Sequence, residues 1–159
     1  MGIVLTRLDE RLIHGQVVLG WGSQLRPDRY LVVDDELAAS DWEQELYRLG
    51  AGDTEVIFST VAEARARVPE WRESPVRSIL LARDVATLRG LAAGGLLRGQ
   101  AVNLGGLHHG SGRREVLAYL HLSDDDVAGL TSLEEEGAQV WAQDLPDAAK
   151  VPLRSLLGR

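Results

Sequence analysis

"IVLTRLDERLIHGQVVLGWGSQL", residues 3–25, changes character twice within one short span. "IVLTRLD" (3–9) is apolar and β-branched, which predicts a strand, and "GQVVLGWGSQL" (15–25) predicts a helix weakened by two glycines. The polar residues between them form a short loop. Strand, loop and helix in that order open a βαβ unit, and the rest of the chain continues the alternation. "RYLVVDD" (29–35), "TEVIFS" (54–59), "RSILLA" (77–82), "QAVNLGG" (100–106), "EVLAYLHLS" (115–123) and "AQVWAQ" (138–143) are the further predicted strands. Helices are predicted to start at capping boxes formed by Ser40 with Glu43, Thr60 with Glu63, and Ser123 with Asp126. "DVATLRGLAAGGL" is a helix frayed by glycines, and "DAAKVPLRSLLG" ends the chain with a helical turn or two. Short strands alternating with longer helices predict an α/β fold: one domain spanning 1–159, with an open, twisted, mainly parallel sheet of about seven strands and helices on both faces.

A chain of 159 residues is long enough to bury its own core. Hydrophobic and charged fractions of 45% and 26% are those of a globular protein, and the net charge of −7 argues against sequence-independent nucleic-acid binding. With no cysteine, disulfides, thiolate metal sites and cysteine nucleophiles are excluded. No secretory signal or membrane-length apolar run is read, so a cytoplasmic location is expected. Lys150 is the only lysine, so nearly all the basic side chains are arginine, whose fork suits a directional grip on phosphate.

In open α/β sheets, ligands gather outside the carboxyl ends of the strands. Three segments are expected there: 8–15, 34–36 and 105–114. The first carries His14, followed by Gly15 and Gln16 and preceded by Asp9 and Arg11. An imidazole nitrogen can attack a phosphoryl group when neutral, and an ordinary imidazole titrates near pH ~6.5. Arg11 could reach the phosphoryl oxygens, Gly15 could let backbone approach, and Asp9 could orient the ring or Arg11. The helix starting near Gly15 would point free N–H groups at the same place. A lone loop histidine has an equally simple structural reading, and the residues by themselves leave both open.

"LTRLDERLIHGQVVLGW" (5–21) closely resembles the segment opening the IIB component of the mannose/fructose/sorbose family of sugar phosphotransferase systems. "YLVVDDELAASD" (30–41), "LLARDVATLRGLAAGG" (80–95) and "AVNLGGLHHG" (101–110) resemble later parts of that family, in the same order. Glu10 stands where the family usually has Asp, which preserves the charge. The resemblance implies a phosphocarrier whose histidine, matched by His14, accepts a phosphoryl group on Nδ1 from a phosphohistidine of the IIA component. It then passes the group to a sugar held by the membrane components IIC and IID. It implies no cofactor and no resident metal, and it leaves self-association open. The alternative keeps the fold but makes the protein a regulatory module whose phosphorylation state is read by another protein.

Around this centre, Arg7, Gly15, Gln16, Asp35, Gly105, Gly106, His108, His109 and Arg113 are the residues expected to meet the phosphate or a partner. His108, His109 and Arg113 belong equally well to a polar surface loop, and Asp34, Asp35 and Glu36 to a polar strand end. His121 reads as structural. The four histidines lack metal-ligand spacing, so no metal site is expected. The glycine loop matches no Walker pattern. Trp21, Trp42, Trp71 and Trp141 fall on separate segments and read as packing rather than as a sugar-stacking platform.

Overall fold

A computed structural model describes residues 2–158. β1 (Ile3–Leu8) leads into a π-helical turn (Gln16–Trp21) that tightens into α1 (Gly22–Leu25). β2 (Arg29–Val33), α2 (Asp35–Ala38), α3 (Asp41–Ala51), β3 (Glu55–Ser59) and α4 (Val61–Glu73) follow. Then come β4 (Ser78–Ala82), α5 (Val85–Ala92), β5 (Ala101–Leu104), β6 (Arg113–Leu117) and β7 (Leu120–Ser123). α6 (Asp124–Glu135), β8 (Gln139–Ala142), β9 (Val151–Pro152) and α7 (Leu153–Leu157) complete the chain.

Seven strands form one sheet in the order β3-β2-β4-β1-β5-β8-β9, parallel except for β9. The predicted architecture is therefore present, and β4, the apolar run SILLA, is buried along its whole length as the interior of such a sheet requires. Two cores flank the sheet. The larger collects Leu8, Leu80 and Leu104 with Trp71 of α4, Leu88 of α5 and Leu130 of α6. The smaller, on the opposite face, gathers Val32, Ile79 and Leu81 with Val17, Leu37 and Ala51. The chain thus leaves β1 toward one face, whereas it leaves the two neighbours β4 and β5 toward the other. Leu8 pairs with Ala82 on one side and Leu104 on the other, so these three strands end level. Open α/β sheets gather ligands where such connections diverge, and the loop carrying His14 starts at that point.

Three local readings change. "EVLAYLHLS" is not a sheet strand but a hairpin, β6 and β7 paired antiparallel, which turns at residues 118 and 119 and stands apart from the main sheet. Its apolar alternation runs through the turn with no Gly or Asn to mark it. β9 takes the seventh place in the sheet instead; two residues including a proline carry no strand signal. The capping boxes at Thr60 and Ser123 form, but Ser40 Oγ donates to the Glu43 carboxylate at 3.3 Å rather than accepting from a helix amide.

Candidate functional site

Leu8 ends β1, and the chain turns at once, because Asp9 caps its own loop. Asp9 Oδ1 accepts from Arg11 N–H at 3.1 Å, and the Asp9 carbonyl accepts from Leu12 N–H at 3.0 Å. Leu12 then adopts φ +54°, a left-handed conformation that costs a non-glycine residue about 1–2 kcal/mol. Its side chain is fully buried in the smaller core, which holds it there. This bend points the Leu12 carbonyl at His14 Nδ1, 3.0 Å away. A carbonyl only accepts, so Nδ1 carries a proton in this arrangement.

The His14 carbonyl accepts from Val18 N–H at 2.9 Å, so His14 is the last residue before the helical turns and the N–H groups after it lack helical partners. Its side chain is 15% exposed. Nε2 is enclosed, has no hydrogen-bond partner among the described residues, and lies 3.8 Å from Asp9 Oδ2. The imidazole therefore rests between two acceptors. Gly15 has ordinary helical φ and ψ, so it is not needed for backbone freedom. Nothing lies within 4 Å of where its Cβ would be, leaving open space beside the histidine.

Arg11 is 48% exposed at the mouth, with Nη2 donating to Gln16 Oε1 at 3.0 Å and Nε 4.0 Å from Asp9 Oδ1. Arg7 was expected at a phosphate or partner surface; the structure buries it completely behind Asp9. It donates to Asp9 Oδ2 at 3.2 Å, to the carbonyls of Gln143 and Asp144 at 2.8 and 3.1 Å, and to Asn103 Oδ1, and its guanidinium stacks on Trp21. A strand-borne side chain with so many acceptors is a fixed anchor. Burial lowers the proton affinity of this guanidinium, and Asp9 pushes it back up. Gly105 is required here by packing, since a Cβ would collide with the Arg7 guanidinium and lie 2.7 Å from Asp9 Oδ2. Gly106 accepts from Glu10 N–H at 2.9 Å and locks the β5 loop to the β1 loop.

His108 and Arg113 reach the site's rim through Glu10 rather than His14. The Glu10 carboxylate accepts from His108 N–H at 2.9 Å and contacts its ring, and Arg113 Nη1 lies 3.7 Å from Glu10 Oε1. Arg113 also donates to the His108 carbonyl. His109 packs edge-on against His121. Asp35 is placed elsewhere: β4 separates β2 from β1, and Asp35 Oδ1 accepts from Val61 N–H at 2.8 Å at the start of α4. Its neighbour Asp34 caps α2 and binds Arg83 at 2.7 Å. Glu10 as the clamp, Leu12 as the bend and Asn103 beneath Arg7 escaped the residue reading. Of these only Asn103, a polar residue inside the apolar run AVNL, left a signal.

The family model described as PTS system sorbose subfamily IIB component matches residues 3–159. The N-acetylgalactosamine-specific phosphotransferase enzyme IIB component 1 of Escherichia coli K12 is 31% identical over 151 residues, covering 93% of this chain and 94% of that protein. A crystal structure of the N-acetylgalactosamine-specific IIB component 1 from Escherichia coli superposes with a TM-score of 0.83 at 30% identity, covering 94% of this chain and 97% of the other. The crystal structure of manxB from Thermoanaerobacter tengcongensis gives a TM-score of 0.84 at 29% identity, over 99% and 95% of the two chains.

Proposed function

The chain belongs to the sorbose subfamily of PTS IIB components, and from that premise we propose that it is a phosphocarrier that receives a phosphoryl group on His14 from a phospho-IIA protein and hands it to a sugar held by membrane IIC and IID components. The observation that carries this reading is the seat of His14: at a strand-to-helix junction on the carboxyl edge of the sheet, with open space at Gly15 and with Asp9 between the imidazole and Arg11.

The transfer breaks the P–N bond of the donor phosphohistidine as a P–N bond to His14 forms. Negative charge spread over the three equatorial oxygens needs fixed donors, which Arg11 and the unpartnered N–H groups after His14 supply. The family resemblance puts the new bond on Nδ1. That atom must first give up its proton and leave the Leu12 carbonyl. Asp9 provides the counterpart, because with the proton on Nε2 the carboxylate 3.8 Å away becomes its acceptor and the Nδ1 lone pair is freed. A small turn of the ring then presents Nδ1 to the space above Gly15. Arg7 positions Asp9 from behind through its 3.2 Å hydrogen bond to Oδ2.

Incubation with a phosphorylated IIA protein should place acid-labile, alkali-stable phosphate on the native chain and none on His14→Ala. Label persisting on the alanine variant would overturn the reading.

A further inference from the structure

We propose that a cavity not lined by His14 is a binding site for a compact organic anion. The cavity has a volume of about 260 Å³ and lies on the sheet face between α1, the β5–β8 pair and the segment after β8. Trp21, Gln24, Gln100, Asn103, Trp141 and Lys150 line it, and Leu5, Leu25 and Pro146 give it an apolar side.

Beside the carboxamides of Gln24, Gln100 and Gln143, the lining holds N–H donors that have no acceptor among the described residues. Asn103 is 2% exposed, and its carboxamide oxygen is taken by Arg7, which can only donate. The amide orientation is therefore fixed, and the Asn103 Nδ2 hydrogens have no acceptor among the described residues. Trp141 Nε1, an obligate donor, is enclosed and also lacks one. Enclosed donors without acceptors are uncommon in folded proteins, because they forfeit their hydration. The third donor is Lys150, the chain's sole lysine, whose Nζ lies 4.4 Å from the Trp141 ring centroid. Twenty-four Asp and Glu residues give this protein its negative charge, yet among the described residues none lines the cavity. A pocket that excludes carboxylates of its own and offers an ammonium with two unused N–H groups selects oxyanions. Its apolar side and size suit a body of a few carbons up to a hexose. The ligand is thus a small carboxylate or a phosphate monoester. The site requires nothing of the phosphotransfer reading.

The indole N–H resonance of Trp141, assigned with Trp141→Phe, reports occupancy directly. Lactate and benzoate as carboxylates, glucose 6-phosphate as a phosphate monoester, and neutral glucose are titrated into the intact protein. The expected result is saturable movement of that resonance with at least one anion, Kd about 1 mM or tighter, and none with glucose. Which anion saturates separates the two classes. Lys150→Gln should weaken binding about tenfold with unchanged thermal unfolding, while His14→Ala binds as the parent does. No saturable movement with any of the three anions, equal movement with glucose, or parental affinity in Lys150→Gln would each overturn the site.

Discussion

Asp9 is held by a cation on one side and faces an imidazole on the other, with no exposed surface of its own. Removing its charge leaves the buried Arg7 guanidinium without its hydrogen-bonded counterion, a loss of the kind that costs about 3–5 kcal/mol. Asp9→Asn should therefore lower the unfolding free energy by about that amount in urea titration and slow phosphotransfer in whatever fraction stays folded. Arg11 is the opposite case, half exposed and lightly tied. Arg11→Ala should leave stability nearly unchanged and reduce the transfer rate by about 10–100-fold, the equivalent of a charge-assisted hydrogen bond. Arg11→Lys should retain part of the rate, since a point charge remains but the fork is lost. Rapid-quench transfer from phospho-IIA measures both. At this scale the sequence disclosed side chains and concealed directions. "RLDERLIH" showed two arginines around two acids, but only the end of β1 at Leu8 decides that Arg7, on the strand, is buried and that Arg11, in the loop beyond it, is half exposed. The left-handed bend at Leu12 was invisible, because leucine is the last residue composition would nominate for it.

Among the elements, α4 has the clearest local signature. Thr60 accepts from Glu63 N–H at 3.1 Å, and the Glu63 carboxylate accepts from Thr60 N–H at 2.9 Å. These bonds to Thr60, the backbone one foremost, hold the Glu63 pKa below the ordinary carboxylate value. A carboxylate whose proton affinity is depressed on folding favours the native state above its unfolded pKa. That contribution vanishes as pH falls through the lower, folded value. Glu63→Gln should therefore show a shallower acid limb in thermal unfolding between about pH 5 and 2 than the native chain. Elements written in such short-range chemistry were legible: the boxes at Thr60 and Ser123, the strands RYLVV and SILLA. The β6–β7 hairpin and β9 were not. Their boundaries are set by what they pack on, with Leu107 bridging to Leu120 and β9 lying along Trp141.

For the whole molecule, parallel strands flanked by helices could be read from alternation, but strand order could not. Nothing local says that β4 inserts between β2 and β1, which carries Asp35 away from His14, or that β5 pairs with the other side of β1, which brings Gly105 against Arg7. β4 and β1 are paired on both sides and covered on both faces. Their amides should be the slowest to exchange in native-state hydrogen exchange, with those of β9 and α7 among the fastest. Equal protection at both places would contradict this distribution of stability. The two lateral borders of the sheet also differ in what they offer a foreign chain. β9 is two residues long, and the ring of Pro152 removes an amide that an added strand would need. β3, five residues of EVIFS, presents a longer unpaired backbone. When copies of this protein cohere through their main chains, under heat or crowding, the seam forms along residues 55–59, and the proline-guarded border stays bare.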